Sequence, residues 1–403
     1  MAAPPLSPTA ITPAILSIAI YALLFALTLV FLPRKAIFTR MLSLVPLTLA
    51  ACSVFRYAIV LVGPAATRQS SFLGLLIIHW LGLVEYILLS RVDSAKLVFL
   101  AAPAASGQTE RNGQAGLARQ LWQALSLSCN ARRLGTEWEV KNVYHRAGGP
   151  QTRLHFVAHV VPRIVLCYLV VDGLTSGPLP EARFITAEKQ TAWKLWTLTG
   201  EDVGFRVGAT MFFWLITYCV IYILIHVPAV ISVALGMSAP EFWPHLFGPM
   251  SALYTIRGFW GSFWHQRLRK TLTSLSDFIA SAVLAIPHPS VLSTYTRLFL
   301  VFAISGLLHH PADIFQGMPV TQTASLAFFL MQPVGIVAED AVQALTRSWP
   351  LPDVMRSIAG YAWVAFFLVC TTPTWMFGVM RLGQTPDVLP KVVKPLVDML
   401  TAK

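Results

Sequence analysis

The sequence predicts an all-α polytopic membrane protein with about 8–10 transmembrane helices, and three observations predict it. The chain has 403 residues, of which 12% are charged and 56% hydrophobic, with a mean hydropathy of +0.64; an ordinary soluble domain carries about 25% charged residues. The missing charge has gone into long apolar runs, several of them exceeding the ~18–20 residues that cross a hydrocarbon core. No strand-like alternation of about ten residues recurs, and backbone groups in lipid must be satisfied within their own segment, so helices are expected over a barrel.

The elements follow in order. The run at 13–32 has no charge, and residues 1–12 lack the Lys/Arg stretch of a cleaved signal peptide, so it reads as a retained first span. Further runs fall at 42–63, 72–90, 155–173, 207–237, 297–309, 323–337 and 358–380. The fifth is too long for one straight crossing and carries Pro228, which predicts either a kinked helix or two helices. There is no internal repeat, low-complexity tract or separate soluble domain, so residues 1–403 are expected to form a single multi-pass membrane domain.

Two polar stretches interrupt the runs. Residues 106–153 hold Arg111, Arg119, Arg132, Arg133, Lys141, Arg146 and Arg153 against Glu110, Glu137 and Glu139, whereas 175–202 is balanced, with Arg183, Lys189 and Lys194 against Glu181, Glu188, Glu201 and Asp202. The positive-inside rule puts the first in the cytosol and the second across the membrane. Counting spans agrees: an external N-terminus places Arg34, Lys35 and Arg40 inside and returns the chain to the cytosolic side before 238–296.

The five cysteines, Cys52, Cys129, Cys167, Cys219 and Cys370, show no CxxC pair and no histidine at zinc-finger spacing, which excludes a disulfide framework or structural zinc as the organising principle. The net charge of +12 fits topology-setting loops, anionic headgroups or an anionic substrate. Nucleic acid is not expected, because the basic residues are not gathered into an arm or soluble module.

Two features can carry chemistry. Between Glu241 and Asp277 there is no acidic residue, yet Arg257, Arg267, Arg269, Lys270, His245 and His265 fall there among Trp243, Phe259, Trp260, Phe263 and Trp264. Such a segment suits the membrane surface, where rings lie at headgroup depth and cations meet phosphate. Gly258 and Gly261 leave room for close backbone approach to a ligand. His265 precedes Arg269 by four residues, so on a helix the two share a face. The second feature is the uncharged stretch 298–308, which ends in Ser305-Gly306-Leu307-Leu308-His309-His310-Pro311. A titratable side chain at the end of an apolar run is costly in a membrane unless it faces a cavity or a partner. If the helix continued past Pro311, Asp313 could hold the His309 ring in one tautomer; otherwise His309 is an interfacial histidine at a helix end. Imidazole is the usual base for an alcohol proton, and a cationic pocket suits a phosphate-bearing donor, so together they suggest acyl transfer from coenzyme A to a hydroxyl. A serine-hydrolase reading lacks a GxSxG elbow. Prenyl transfer lacks the clustered carboxylates that hold magnesium.

The motif Phe259-Trp260-Gly261-Ser262-Phe263-Trp264-His265-Gln266, followed some forty residues later by Ser305-Gly306-Leu307-Leu308-His309, resembles the wax-synthase-like branch of the membrane-bound O-acyltransferase superfamily, and in particular fungal acetyltransferases of terpenoid and meroterpenoid pathways. The segments 133–142, 242–247 and 328–333 are similar to that group as well, and the resemblance covers about 132–339, the expected acyltransferase core. It implies helices around an internal tunnel, acyl-CoA entering from the cytosolic face and the acceptor from the lipid side. It also implies that His309 is the catalytic base. His265 stands where many relatives have Asn, which leaves orienting the thioester, steadying the oxyanion and packing all open. Trp260, Trp264, Gln266, Arg257, Arg267, Arg269 and Lys270 are the candidate contacts to the donor.

The expectation is therefore an O-acetyltransferase of the endoplasmic reticulum. It would use acetyl-CoA as cosubstrate and a lipophilic hydroxylated terpenoid-like acceptor, with membrane lipids around it and no metal. The alternatives are a long-chain wax ester synthase and a transporter or lipid-binding membrane protein, in which His309 relays protons. His310, Asp313, Glu339 and Asp340 have no assigned role; the last two are expected to cap a helix or leave the membrane.

Overall fold

A computed structural model describes residues 8–95, 97, 116–145, 151–384 and 386–392. Arg111, Arg146 and Glu110, from the polar stretch expected in the cytosol, lie outside the described residues. The α-helices in chain order are α1 (Pro8–Phe31), α2 (Ile37–Ala58), α3 (Ala66–Val84), α4 (Leu117–Cys129), α5 (Arg153–Thr175), α6 (Gly200–Ala234), the single turn α7 (Ile256–Gly258), α8 (Arg269–Phe278), α9 (Val291–Phe315), α10 (Ser325–Leu345) and α11 (Asp353–Met380). Among the described residues there is no β-strand, only an isolated bridge between Tyr144 and His245. Among the described residues eight helices are long and apolar enough to cross a membrane, so the protein is a polytopic all-α membrane protein.

The boundaries follow from local chemistry. Thr152 caps α5 by accepting from the His155 backbone N–H at 3.2 Å. Thr199 and Asp202 form a reciprocal capping box on α6. That helix runs unbroken for 35 residues through Pro228, so the fifth apolar run is one helix and not two; at 1.5 Å per residue it is roughly 50 Å long, well beyond a ~30 Å hydrocarbon core. Likewise α9 continues through Pro311 to Phe315.

The chain divides into two compact units, residues 1–141 with 267–301, and residues 142–266 with 302–403. In the first, α1 packs on α2 and α4 around Tyr21, Phe25, Leu29, Leu47, Val54 and Leu127. Two buried arginines hold its polar interior. The guanidinium of Arg40 donates to the carbonyls of Leu32, Pro33, Ile87 and Val92 at 2.5, 3.2, 3.0 and 2.7 Å, which ties the end of α1 to the chain following α3. Arg133 pairs with Glu85 at 2.5 Å and lies 3.1 Å over the Tyr86 ring; burial pushes its pKa down to about 10, against the pull of Glu85. In the second unit α5 packs along α6, and α11 along α10 and α6. Its core gathers Cys167, Val171, Cys219, Tyr222, Phe247, Phe259 and Trp264.

Candidate active site

The second unit builds a site around His309, starting from a glycine. A Cβ on Gly306 would stand 2.8 Å from the Leu326 Cα and 3.2 Å from the Phe329 Cβ, so only glycine lets α9 and α10 approach this closely. The approach brings Phe329 onto the His309 ring, stacked at 4.8 Å between centroids, while Trp375 of α11 meets the same ring edge-on at 5.1 Å. His309 Nδ1 lies 2.7 Å from the Ser305 carbonyl oxygen. A carbonyl only accepts, so Nδ1 is the donor, and the neutral ring keeps its lone pair on Nε2.

Asp313 does not hold His309, contrary to the arrangement considered from spacing. Its two oxygens accept from Trp375 Nε1 at 3.0 and 3.1 Å, so the carboxylate positions the indole, and the indole packs on the imidazole. The neighbouring His310 uses Nδ1 on the Thr323 hydroxyl at 2.8 Å.

The aromatic segment is not one interfacial helix. After the single turn α7 it becomes a π-helical turn, Phe259–Phe263, and His265 lies in an irregular link before α8 begins at Arg269, so His265 and Arg269 do not share a helical face. Two polar side chains of α10 fix the segment. Glu339 accepts the backbone N–H groups of Ile256 and Arg257 at 2.5 and 3.2 Å and Trp363 Nε1 at 3.0 Å, capping the open end of α7. Trp260 Nε1 donates to Gln332 Oε1 at 3.0 Å, and the Gln332 amide donates to the Phe328 carbonyl at 3.0 Å. Gly258 serves the same close packing: a Cβ there would meet the Ala252 carbonyl oxygen at 2.1 Å, so its missing side chain is spent on the fold.

The predicted residues now have places. Trp260 touches Trp214, Phe302, Phe328 and Phe329, and Trp264 stacks on Phe259 and meets Trp214 edge-on. A ring-to-ring path joins His265 to His309 through Trp264, Trp260 and Phe329. Gln266 gives its amide to the Trp260 and Trp264 carbonyls at 3.3 and 2.5 Å. Arg257 pairs with Asp340 at 2.5 Å on a half-exposed surface.

Arg267, Arg269 and Lys270 belong to the first unit. Lys270 and Arg269 sit in the first turn of α8, where the positive end of the helix dipole adds to their charge and attracts anions. Burial lowers the pKa of Arg267 and of Arg269. Arg132 is brought down to about 10 by its own burial and by the charge of Arg267, opposed by Glu139.

Trp375 and Trp214 were missed in the sequence, and Gln332 was named there only as part of the segment 328–333, without a role. Only Gln332 gives a signal there, as an amide inside an apolar run; the other two read as ordinary span aromatics.

Comparison with known proteins adds a family. The membrane bound O-acyl transferase family matches over residues 243–331, the stretch that includes both the aromatic motif and His309. Acetyltransferase ataH of Aspergillus terreus is 35% identical over 296 residues, covering 70% of this chain and 97% of that protein. Acetyltransferase spyB of Aspergillus fumigatus is 29% identical over 291 residues, 64% of this chain and 48% of that protein. Acetyltransferase TRI7 of Fusarium sporotrichioides is 33% identical over 285 residues, 65% and 64% of the two chains. The match thus spans nearly all of ataH but about half of spyB. No solved structure matches the chain.

Proposed function

Since the chain belongs to the membrane bound O-acyl transferase family and is an acyltransferase, we propose that it moves an acetyl group from acetyl-CoA to a hydroxyl of a terpenoid or meroterpenoid natural product, in the endoplasmic reticulum membrane. The observation that carries the mechanism is the hydrogen bond from His309 Nδ1 to the Ser305 carbonyl, which leaves Nε2 as the nitrogen able to take a proton. In this reading the acceptor oxygen attacks the thioester carbonyl while Nε2 removes the hydroxyl proton. Collapse of the tetrahedral adduct forms the ester C–O bond and breaks the C–S bond, and the imidazolium returns its proton to the departing thiolate. The activated thioester leaves nothing for a metal to activate.

His265 would hydrogen-bond the donor or the developing oxyanion, where one lost donor costs on the order of 3–4 kcal/mol. Trp260 and Trp264 would wall the acyl end. Arg267, Arg269 and Lys270, at the positive end of α8, suit the phosphates of coenzyme A, and Arg257 is a further candidate contact to the donor. The Gln266 amide is engaged with the backbone, so it would act by holding the motif's shape. The names of the relatives favour acetyl over a long acyl chain.

The test is an assay in membranes with acetyl-CoA and hydroxylated terpenoids, following the acetylated product by mass spectrometry. His309→Ala should insert normally and lose nearly all turnover; retained turnover makes the assigned base wrong. Palmitoyl-CoA should compete poorly with acetyl-CoA for one acceptor, and preferential palmitoyl transfer would instead make the protein a wax ester synthase.

A further inference from the structure

We propose that the first unit carries a separate ligand site, a cationic cleft that holds the phosphate of an anionic membrane phospholipid. The cleft has a volume of about 390 Å³ and is lined by Arg34, Lys35, Leu89, Ser90 and Arg91. Arg34, Lys35 and Arg91 are exposed, and among the described residues no carboxylate pairs with any of their side chains. Asp93 is engaged by the Arg34 backbone N–H at 3.4 Å. Glu85, which accepts the Ser90 hydroxyl at 2.5 Å, is neutralised by Arg133. Arg91 spends only Nε, on the Leu88 carbonyl at 3.2 Å, which leaves the terminal nitrogens of its fork for an oxyanion.

The floor is fixed rather than adaptable. Arg40, fully buried, binds carbonyls in both segments that line the cleft, Leu32 and Pro33 after α1 and Ile87 and Val92 around the end of the third span. Three like charges are therefore held close together by the backbone. An anion relieves that repulsion.

Position selects the anion. Arg34 and Lys35 come just after the first span ends at Phe31, and Ser90 and Arg91 just after the third ends at Leu89. As the ends of candidate spans, both are expected at headgroup depth, and span counting puts them on the cytosolic side, where acidic lipids concentrate. Leu89 supplies an apolar wall beside the charges, as a glycerolipid requires.

The full-length protein in neutral detergent would be titrated with phosphatidylinositol, phosphatidylcholine and, separately, soluble 3′,5′-adenosine bisphosphate, and occupancy read by native mass spectrometry. Phosphatidylinositol should bind at least about tenfold better than phosphatidylcholine. Arg34→Gln/Lys35→Gln/Arg91→Asn should abolish the preference, Asn being chosen because Arg91 has φ +48°. The charge-keeping Arg34→Lys/Arg91→Lys should restore it. Equal phosphatidylinositol occupancy in wild type and the neutralised variant overturns the proposal. So does a loss confined to the bisphosphate, which would assign the cleft to a soluble phosphate.

Discussion

At His309 the ring is placed by contacts that come from three helices: the Ser305 carbonyl on its own helix, the Phe329 face from α10 and the Trp375 edge from α11. Trp375 is in turn held by Asp313, and under the proposed mechanism it positions the base. Trp375→Phe keeps an aromatic edge but strips the donor from a buried carboxylate, a change worth about 1–3 kcal/mol in stability. It should lower kcat severalfold and leave the KM for the proposed acetyl-CoA donor unchanged in a steady-state assay; an unaltered kcat would reduce Asp313 to a packing role. His309 stood out in the sequence as a candidate because a titratable side chain is conspicuous in an apolar run, and a structural histidine would have looked the same. What Asp313 contacts was not legible, since its partner is 62 residues away and sequence spacing points to the wrong neighbour. The Arg133–Glu85 pair is a second residue-scale case. Breaking it from one side with Glu85→Gln should destabilise the protein by about 3–5 kcal/mol, whereas the double exchange Arg133→Met/Glu85→Leu should cost much less, as thermal unfolding in detergent would report.

Among elements, α9 and α10 depend on one absent side chain. Gly306→Ala would place a methyl 2.8 Å from the Leu326 backbone, and overpacking of this kind costs about 1–3 kcal/mol. The separation would draw Phe329 away from the imidazole. The predicted result is a folded protein of lower melting temperature with most of its acyl transfer lost, and full activity would mean that the helix contact does not set the site. The sequence contained Gly306 but not its reason, because a glycine within a span is compatible with several roles until the facing helix is known. The same limit explains the aromatic segment. Its residue types mark an interface, but the capping of α7 by Glu339 and the π-helical turn after it are set by α10, some eighty residues on. Tertiary partners override periodicity there, and α9 continues through Pro311, where the proline left its continuation in doubt.

Across the whole molecule, hydropathy made the fold class legible, since the cost of unsatisfied backbone in lipid leaves few alternatives to long helices. Division of the chain into two units, with α9 passing from one to the other, left no mark on composition because both units are made of the same apolar helices. The span count carries a further consequence. With eight candidate spans among the described residues, the sequence expectation is that connecting segments alternate sides, with Arg34 and Lys35 after the first span, the Arg-rich segment after the third and the basic segment after the fifth on one side and the balanced segment before Gly200 on the other. The positive-inside rule assigns the basic side to the cytosol. An Asn-x-Ser acceptor engineered between Gly177 and Trp196 should therefore be glycosylated when the protein is made in endoplasmic-reticulum membranes, whereas one placed between Asn130 and Lys141 should remain bare. Glycosylation of the second position alone would invert the expected topology and remove the cytosolic access proposed for the acyl donor.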